Sequence, residues 1–200
     1  MTSKNTLSKI ELRDIRQCIA LPLVSSLLLL LLSGGVSAMD KSKPKNTIQL
    51  KDTTLHLNGA GVRSKFLIDL YQAALYLKTP TTDAQAIIDA DEIMLLQIRV
   101  ISNLISSENL TRGTREGFDK STNNQPEAIQ GQIDAFLLAF KEPISTGDTF
   151  EIVYQPKKGV TVIKNRKVSK RLPNFKQALF GIWLSNKPAQ KSLKDQLLGK

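Results

Sequence analysis

From residue 47 onward the chain alternates between two hydrophobic periods. Some stretches repeat every second residue, as half-buried strands do, and others every third or fourth, as amphipathic helices do. Ile48 to Asp52 and Leu55 to Asn58 alternate briefly and predict a small hairpin. It enters Gly59-Ala60-Gly61, which reads as a glycine bend presenting Arg63. Phe66 to Leu77 is apolar and aromatic with few breaks. This predicts a strand with Tyr71, Ala73 and Leu75 on one face and Gln72 and Ala74 on the other. Past the Thr79-Pro80 turn, Asp83 to Ala90 predicts a short helix capped by Thr82 or Asp83. Ile93 to Ile101 predicts another buried strand.

Ser106 or Ser107 then caps a polar helix running to Phe118, with Glu108 near its positive end. Gln125 to Lys141 carries the cleanest helical stripe, with Ile129, Ile133, Phe136, Leu137 and Phe140 on one face. Asp148 to Gln155 alternates, Pro156 to Gly159 turns, and Val160 to Ile163 returns. Asn165-Arg166 predicts a second tight turn into Val168. Two helices close the pattern. The first has the stripe Phe175, Ala178, Leu179, Ile182 and Trp183, read as core packing. The second is begun by Pro188 and carries Leu193 and Leu197. Strands and helices mix without regular βαβ alternation, which predicts an α+β fold around a mostly antiparallel sheet.

The first 38 residues have a different character. A basic start with Lys4, Lys9, Arg13 and Arg16 precedes an apolar run that ends in Leu27 to Leu32, then small residues through Val36-Ser37-Ala38. That layout predicts a signal peptide, residues 1–38, cut after Ala38. Export to the periplasm or beyond would follow, with no stable membrane anchor left behind. An uncleaved anchor competes, but Pro22 and Ser25-Ser26 interrupt the apolar run. Residues 39–46 then form a flexible leader and 47–200 the folded domain. The single cysteine, Cys18, falls in the signal, so the remaining chain has no disulfide and no thiol nucleophile. The net charge of +10 shows no nucleic-acid motif and no aromatic interleaving, and reads as a solvated positive face.

Chemistry-bearing residues are few. His56 is the only histidine; it alternates with Leu55 and Leu57 and is expected to face solvent. Asp89, Asp91 and Glu92 sit close in sequence where solvation is the default, so no metal site is expected. Arg63 remains, with Tyr71 and Tyr76 on the next strand and Arg112 and Arg115 on the polar helix. A planar guanidinium held at a glycine-rich segment suits a carboxylate or a phenolate-like oxygen. A turn arginine in water is the equally good bland reading.

Two stretches sharpen this. LNGAGVRSKFLIDLYQAALYL (57–77) and FKQALFGIWLSNKPAQKSLKDQLLG (175–199) resemble the chalcone isomerase-like family, and more closely its exported, periplasmic bacterial branch. The resemblance runs from Thr47 to Gly199; Asn165-Arg166 departs from the Asn-Gly usual in that branch. It implies an open-faced β-sandwich, a large antiparallel sheet with helices layered on one face and ligand between them. Arg63 matches the arginine that steadies the developing oxyanion in the plant isomerases, and that holds a fatty-acid carboxylate in related plastid proteins. The isomerases' threonine position falls at Tyr71, which is closer to the fatty-acid-binding branch. Their Tyr-x6-Asn spacing is missing from 107–118, where Asn109 and Arg112 are the polar candidates, and the chain is apolar near Ile182. The expectation is a non-catalytic, exported binder of a small apolar acid such as a fatty acid. Its ligand residues would be Arg63, Tyr71, Asn109 and Arg112, with no cofactor. A chalcone-type isomerase using Arg63, and an envelope interaction module without ligand, are the alternatives.

Overall fold

Each strand pairs with its neighbours in sequence. In the computed structural model, which describes residues 43–173 and 175–200, the strands form one seven-stranded antiparallel sheet in chain order. They are β1 (Thr47–Leu50), β2 (Thr53–Lys65), β3 (Ile68–Leu77), β4 (Met94–Val100), β5 (Thr149–Gln155), β6 (Gly159–Lys164) and β7 (Lys167–Leu172). Helix α1 (Ala84–Asp89) joins β3 to β4, α2 (Ser107–Ser121) and α3 (Gln130–Leu137) join β4 to β5, and α4 (Lys176–Leu184) and α5 (Lys191–Leu197) follow β7. The helices pack on one side of the curled sheet, so the fold is α+β as expected. The signal segment 1–38 and the leader as far as residue 42 lie outside the described residues.

Alternation along the strands decides which side is which. Tyr71, Ala73 and Leu75 of β3, Leu96 and Ile98 of β4, and Phe150 and Ile152 of β5 face the helices and form the main core. Leu55, Ala74, Tyr76, Leu95 and Val153 face the other way and make a smaller cluster. A chain of rings knits helices to sheet: Phe118 to Phe136 at 5.9 Å, Phe136 to Phe140 at 5.3 Å, and Phe140 to Phe150 at 5.3 Å, all near-perpendicular. Each such pair contributes about 0.5–1.5 kcal/mol beyond the area it buries. Caps fix two helix starts as the sequence predicts. Asp83 accepts from the Gln85 and Ala86 amides, and Ser106 from the Asn109 amide.

Three predicted elements are corrected. The stripe over 125–141 is not one helix: α3 is flanked by 3₁₀ turns at Glu127–Ile129 and Leu138–Phe140, although Ile133, Phe136 and Phe140 keep a common buried face. No side chain caps either α3 or the turn before it, so both ends tighten instead. Pro188 does not begin the last helix. Ala189 is tied back to Ile182 O at 2.7 Å, and α5 starts only at Lys191, behind Gln190. The long apolar strand starts at Ile68, because Phe66 and Leu67 form the β2–β3 turn.

The β6–β7 turn holds a removable strain. Asn165 and Arg166 both lie in the left-handed region, at φ +48 and +69. Asn165 suits that position and its side chain also bonds Asp148 and the Thr149 amide. Arg166 does not suit it, since a Cβ there crowds the following carbonyl by about 1–2 kcal/mol. An Arg166→Gly protein is therefore expected to gain about 1 kcal/mol after the extra chain entropy of glycine is counted. Urea unfolding would show it as a higher midpoint at unchanged slope; an unchanged or lower midpoint would refute it.

Candidate ligand site

The glycine-rich segment does not bend. Gly59 to Gly61 lie inside β2, a continuous strand of 13 residues. Their smallness serves α5 instead. A Cβ on Gly59 would sit 2.1 Å from the Gln196 carbonyl oxygen, and one on Gly61 1.9 Å from Gln196 Oε1. Only glycine lets the end of α5 lie against the strand.

Arg63 owes its direction to a single extra residue. Leu57 pairs with Tyr76 and Gly59 with Leu75, so Asn58 is left over as a β-bulge. Leu55 and Leu57 belong to the cluster away from the helices. Strict alternation from them would send 59, 61 and 63 to that face too. The bulge reverses the parity. Ala60 then joins the far cluster, Gly59 and Gly61 meet α5, and Arg63 lies across from Tyr71 on the helix side. Asn58 itself fastens the bulge, donating to Leu197 O at 2.8 Å and accepting from the Thr81 amide at 2.7 Å.

One edge of the Arg63 guanidinium is fixed. Its Nη1 donates to Ser64 O at 2.6 Å and to Gln190 Oε1 at 2.9 Å, and the Ser64 amide shares the same glutamine oxygen at 2.9 Å. Among the described residues Nε and Nη2 have no hydrogen-bond partner, so the other edge is open. Tyr71 is buried, and its hydroxyl accepts from Trp183 Nε1 at 3.0 Å. Burial pushes the phenol pKa up, and the Trp183 hydrogen bond and the Arg63 charge offset this only in part. The hydroxyl is therefore protonated at neutral pH, with its own hydrogen available to donate.

Arg63 and Tyr71 line a cavity of about 300 Å³ between the sheet and α2, α3 and α4. That is at the small end of ligand pockets, about 300–1,000 Å³. The walls are chiefly apolar, with Ile98, Phe150 and Ile152 from the sheet, Phe136 from α3, and Ile182 and Trp183 from α4. Asn109 and Arg112 stand at its exposed rim. They bond each other, Arg112 Nη2 to Asn109 Oδ1 at 2.5 Å, and Arg112 Nη1 lies 3.9 Å from Glu108. Two residue pairs thus emerge, Arg63 with Tyr71 inside and Asn109 with Arg112 at the mouth. Arg115 lies apart, paired with Asp134 at 2.9 Å, and His56 is exposed. The acidic trio is dispersed: Asp91 takes the Tyr154 hydroxyl and Asp89 the Gln85 amide. Among the described residues no group of three or more potential metal ligands gathers.

The sequence matches the family described as chalcone isomerase-like over residues 37–199. The chain belongs to the chalcone isomerase-like family. No curated protein sequence matches it. Among solved structures, a fatty-acid-binding protein of Arabidopsis thaliana is similar to it at TM-score 0.59 and 14% identity, over 78% of this chain and 90% of that one. That likeness is one of fold. Within this chalcone isomerase-like chain, two site residues escape a reading of the sequence. Trp183 falls on a core stripe, and its polar role shows only in that a buried indole N–H needs an acceptor. Gln190 carries no motif signal; its position just before α5 brings it to Arg63.

Proposed function

We propose that this protein is an exported, non-catalytic binder of a small apolar acid, such as a fatty acid. The carboxylate would be held by Arg63 and Tyr71. One observation carries the reading: among the described residues, an arginine with one edge bonded and one edge open stands across from a buried hydroxyl whose proton has no acceptor, at a chiefly apolar cavity. Two donors on neighbouring strands that line one cavity suit the two oxygens of a carboxylate, and the cavity walls suit its alkyl chain. The Arabidopsis protein of similar fold is a fatty-acid-binding protein, which agrees with the reading.

Native mass spectrometry of the protein from the exported fraction tests both halves. The expected chain begins at Met39 and carries a copurified or added fatty acid. Titration can be followed by the emission of Trp183, the only tryptophan. Tyr71→Phe should weaken binding about 5–10-fold, the value of one hydrogen bond of about 1–1.4 kcal/mol. Failure of every added fatty acid to bind would sink the binder. Turnover of a chalcone, lost in an Arg63 variant, would replace it with an isomerase.

A further inference from the structure

The turn between β2 and β3 is built from the wrong residues for a turn. Phe66 and Leu67 are its two central residues, at φ +50 and +65. Such positions favour Asn and Gly, and a bulky side chain there is strained. Neither side chain is recovered by the core, since Phe66 is 87% exposed and Leu67 102%. Strain retained where it gains the fold nothing points to a use outside the fold.

The tip is not isolated. Phe66, with the half-exposed Ile68 and Leu104, also lines the mouth of the cavity. Behind this apolar edge the charged lining of the cavity is mainly cationic. The charged residues lining the cavity are Arg63, Lys65, Arg112 and Lys120 against one acid, Glu116, and the Lys65 ammonium lies 5.7 Å from the Phe66 ring. A protein interface would be depleted of lysine at such a place. A protruding aromatic and aliphatic tip with Lys65 against its ring, at the mouth of a cavity whose charged lining is mainly cationic, matches a lipid surface instead. The apolar groups enter the interfacial region and the cations reach the phosphates. We infer that the β2–β3 tip docks reversibly on an anionic lipid bilayer, with Leu104 beside it, and holds the cavity mouth against the membrane. This goes beyond the acid-binding reading and does not depend on it.

Hydrogen–deuterium exchange of the whole chain, with and without vesicles, tests the inference with a local readout that separates the tip from any other apolar segment. Vesicles of phosphatidylcholine mixed with phosphatidylglycerol should slow exchange in the β2–β3 turn and around 101–104; pure phosphatidylcholine should do so far less. A Phe66→Asn/Leu67→Gly double variant relieves the turn, so it should fold at least as stably. It should bind the anionic vesicles at least about tenfold more weakly, having lost two interfacial apolar side chains, and should show no protection at the tip. Unchanged exchange with vesicles, or equal vesicle affinity in the double variant, would overturn the inference. Protection that rises with protein concentration without lipid would also overturn it, in favour of a second copy of the chain.

Discussion

Replacing Arg63 with alanine should weaken fatty-acid binding about 100-fold while leaving an uncharged analogue of the same chain length almost unaffected. The guanidinium is half-buried and already oriented by Gln190 and the Ser64 carbonyl, so little ordering remains when a carboxylate arrives. Removing one partner of a partly desolvated, hydrogen-bonded charge pair costs about 2–5 kcal/mol. The lower half of that range corresponds to about 100-fold. Arg63→Lys keeps the charge and loses the fork, and should fall between the two. The methyl ester keeps the chain and lacks the anion, so it should distinguish wild type from variant only slightly. Isothermal titration of acid and ester against all three proteins decides the matter. Equal losses for acid and ester would mean that the substitution damaged the cavity rather than removed a clamp.

The largest stability effect is expected from Gly59→Ala. The added Cβ would lie 2.1 Å from Gln196 O and 2.7 Å from the Leu197 carbonyl carbon, both main-chain atoms that cannot rotate aside. Either β2 or the end of α5 must move, and the Asn58–Leu197 bond of 2.8 Å lies in the path of that movement. Overpacking of this kind costs about 3 kcal/mol, which for a domain of this size lowers Tm by about 6–12 °C. Gly61→Ala should cost less. Its Cβ meets the Gln196 side chain, whose amide end can swing away, although its Cβ is also near. Thermal unfolding of the two variants side by side gives the answer. Losses below about 1 kcal/mol at both positions would show that the α5 contact is not what these glycines serve; a Gly61 loss equal to the Gly59 loss would show that Gln196 cannot swing aside.

Most of the sheet was legible because period-two alternation is a property of the strand itself. Phe150 and Ile152 against Val153, and Tyr71 and Ala73 against Ala74, sort to the two faces as the residues indicate. Caps were legible for the same reason: Asp83 and Ser106 act within three residues of themselves. What escaped depends on parts distant in sequence. The use of Gly59 and Gly61 is set by Gln196 and Leu197, and the open edge of Arg63 by Gln190. Resemblance to the family brought Arg63 forward, but could not say which nitrogen was committed. Phe66-Leu67 misled because an apolar pair extending an apolar run is ordinarily strand, and nothing local announces that both residues reverse the chain.

Asn58 has a consequence for comparing this chain with its relatives. Because the unpaired residue sets which side of the sheet receives everything after it, straightening the bulge at unchanged length would exchange the faces of Val62 and Arg63, whereas deleting Asn58 would leave a regular strand in which Arg63 still pairs with Tyr71. Length and bulge must change together if the clamp is to survive. The spacing from Leu57 to Arg63 is therefore informative only together with whether the strand bulges between them. A relative one residue shorter keeps its arginine on the cavity side when its strand is regular, and places it on the wrong side when a bulge remains.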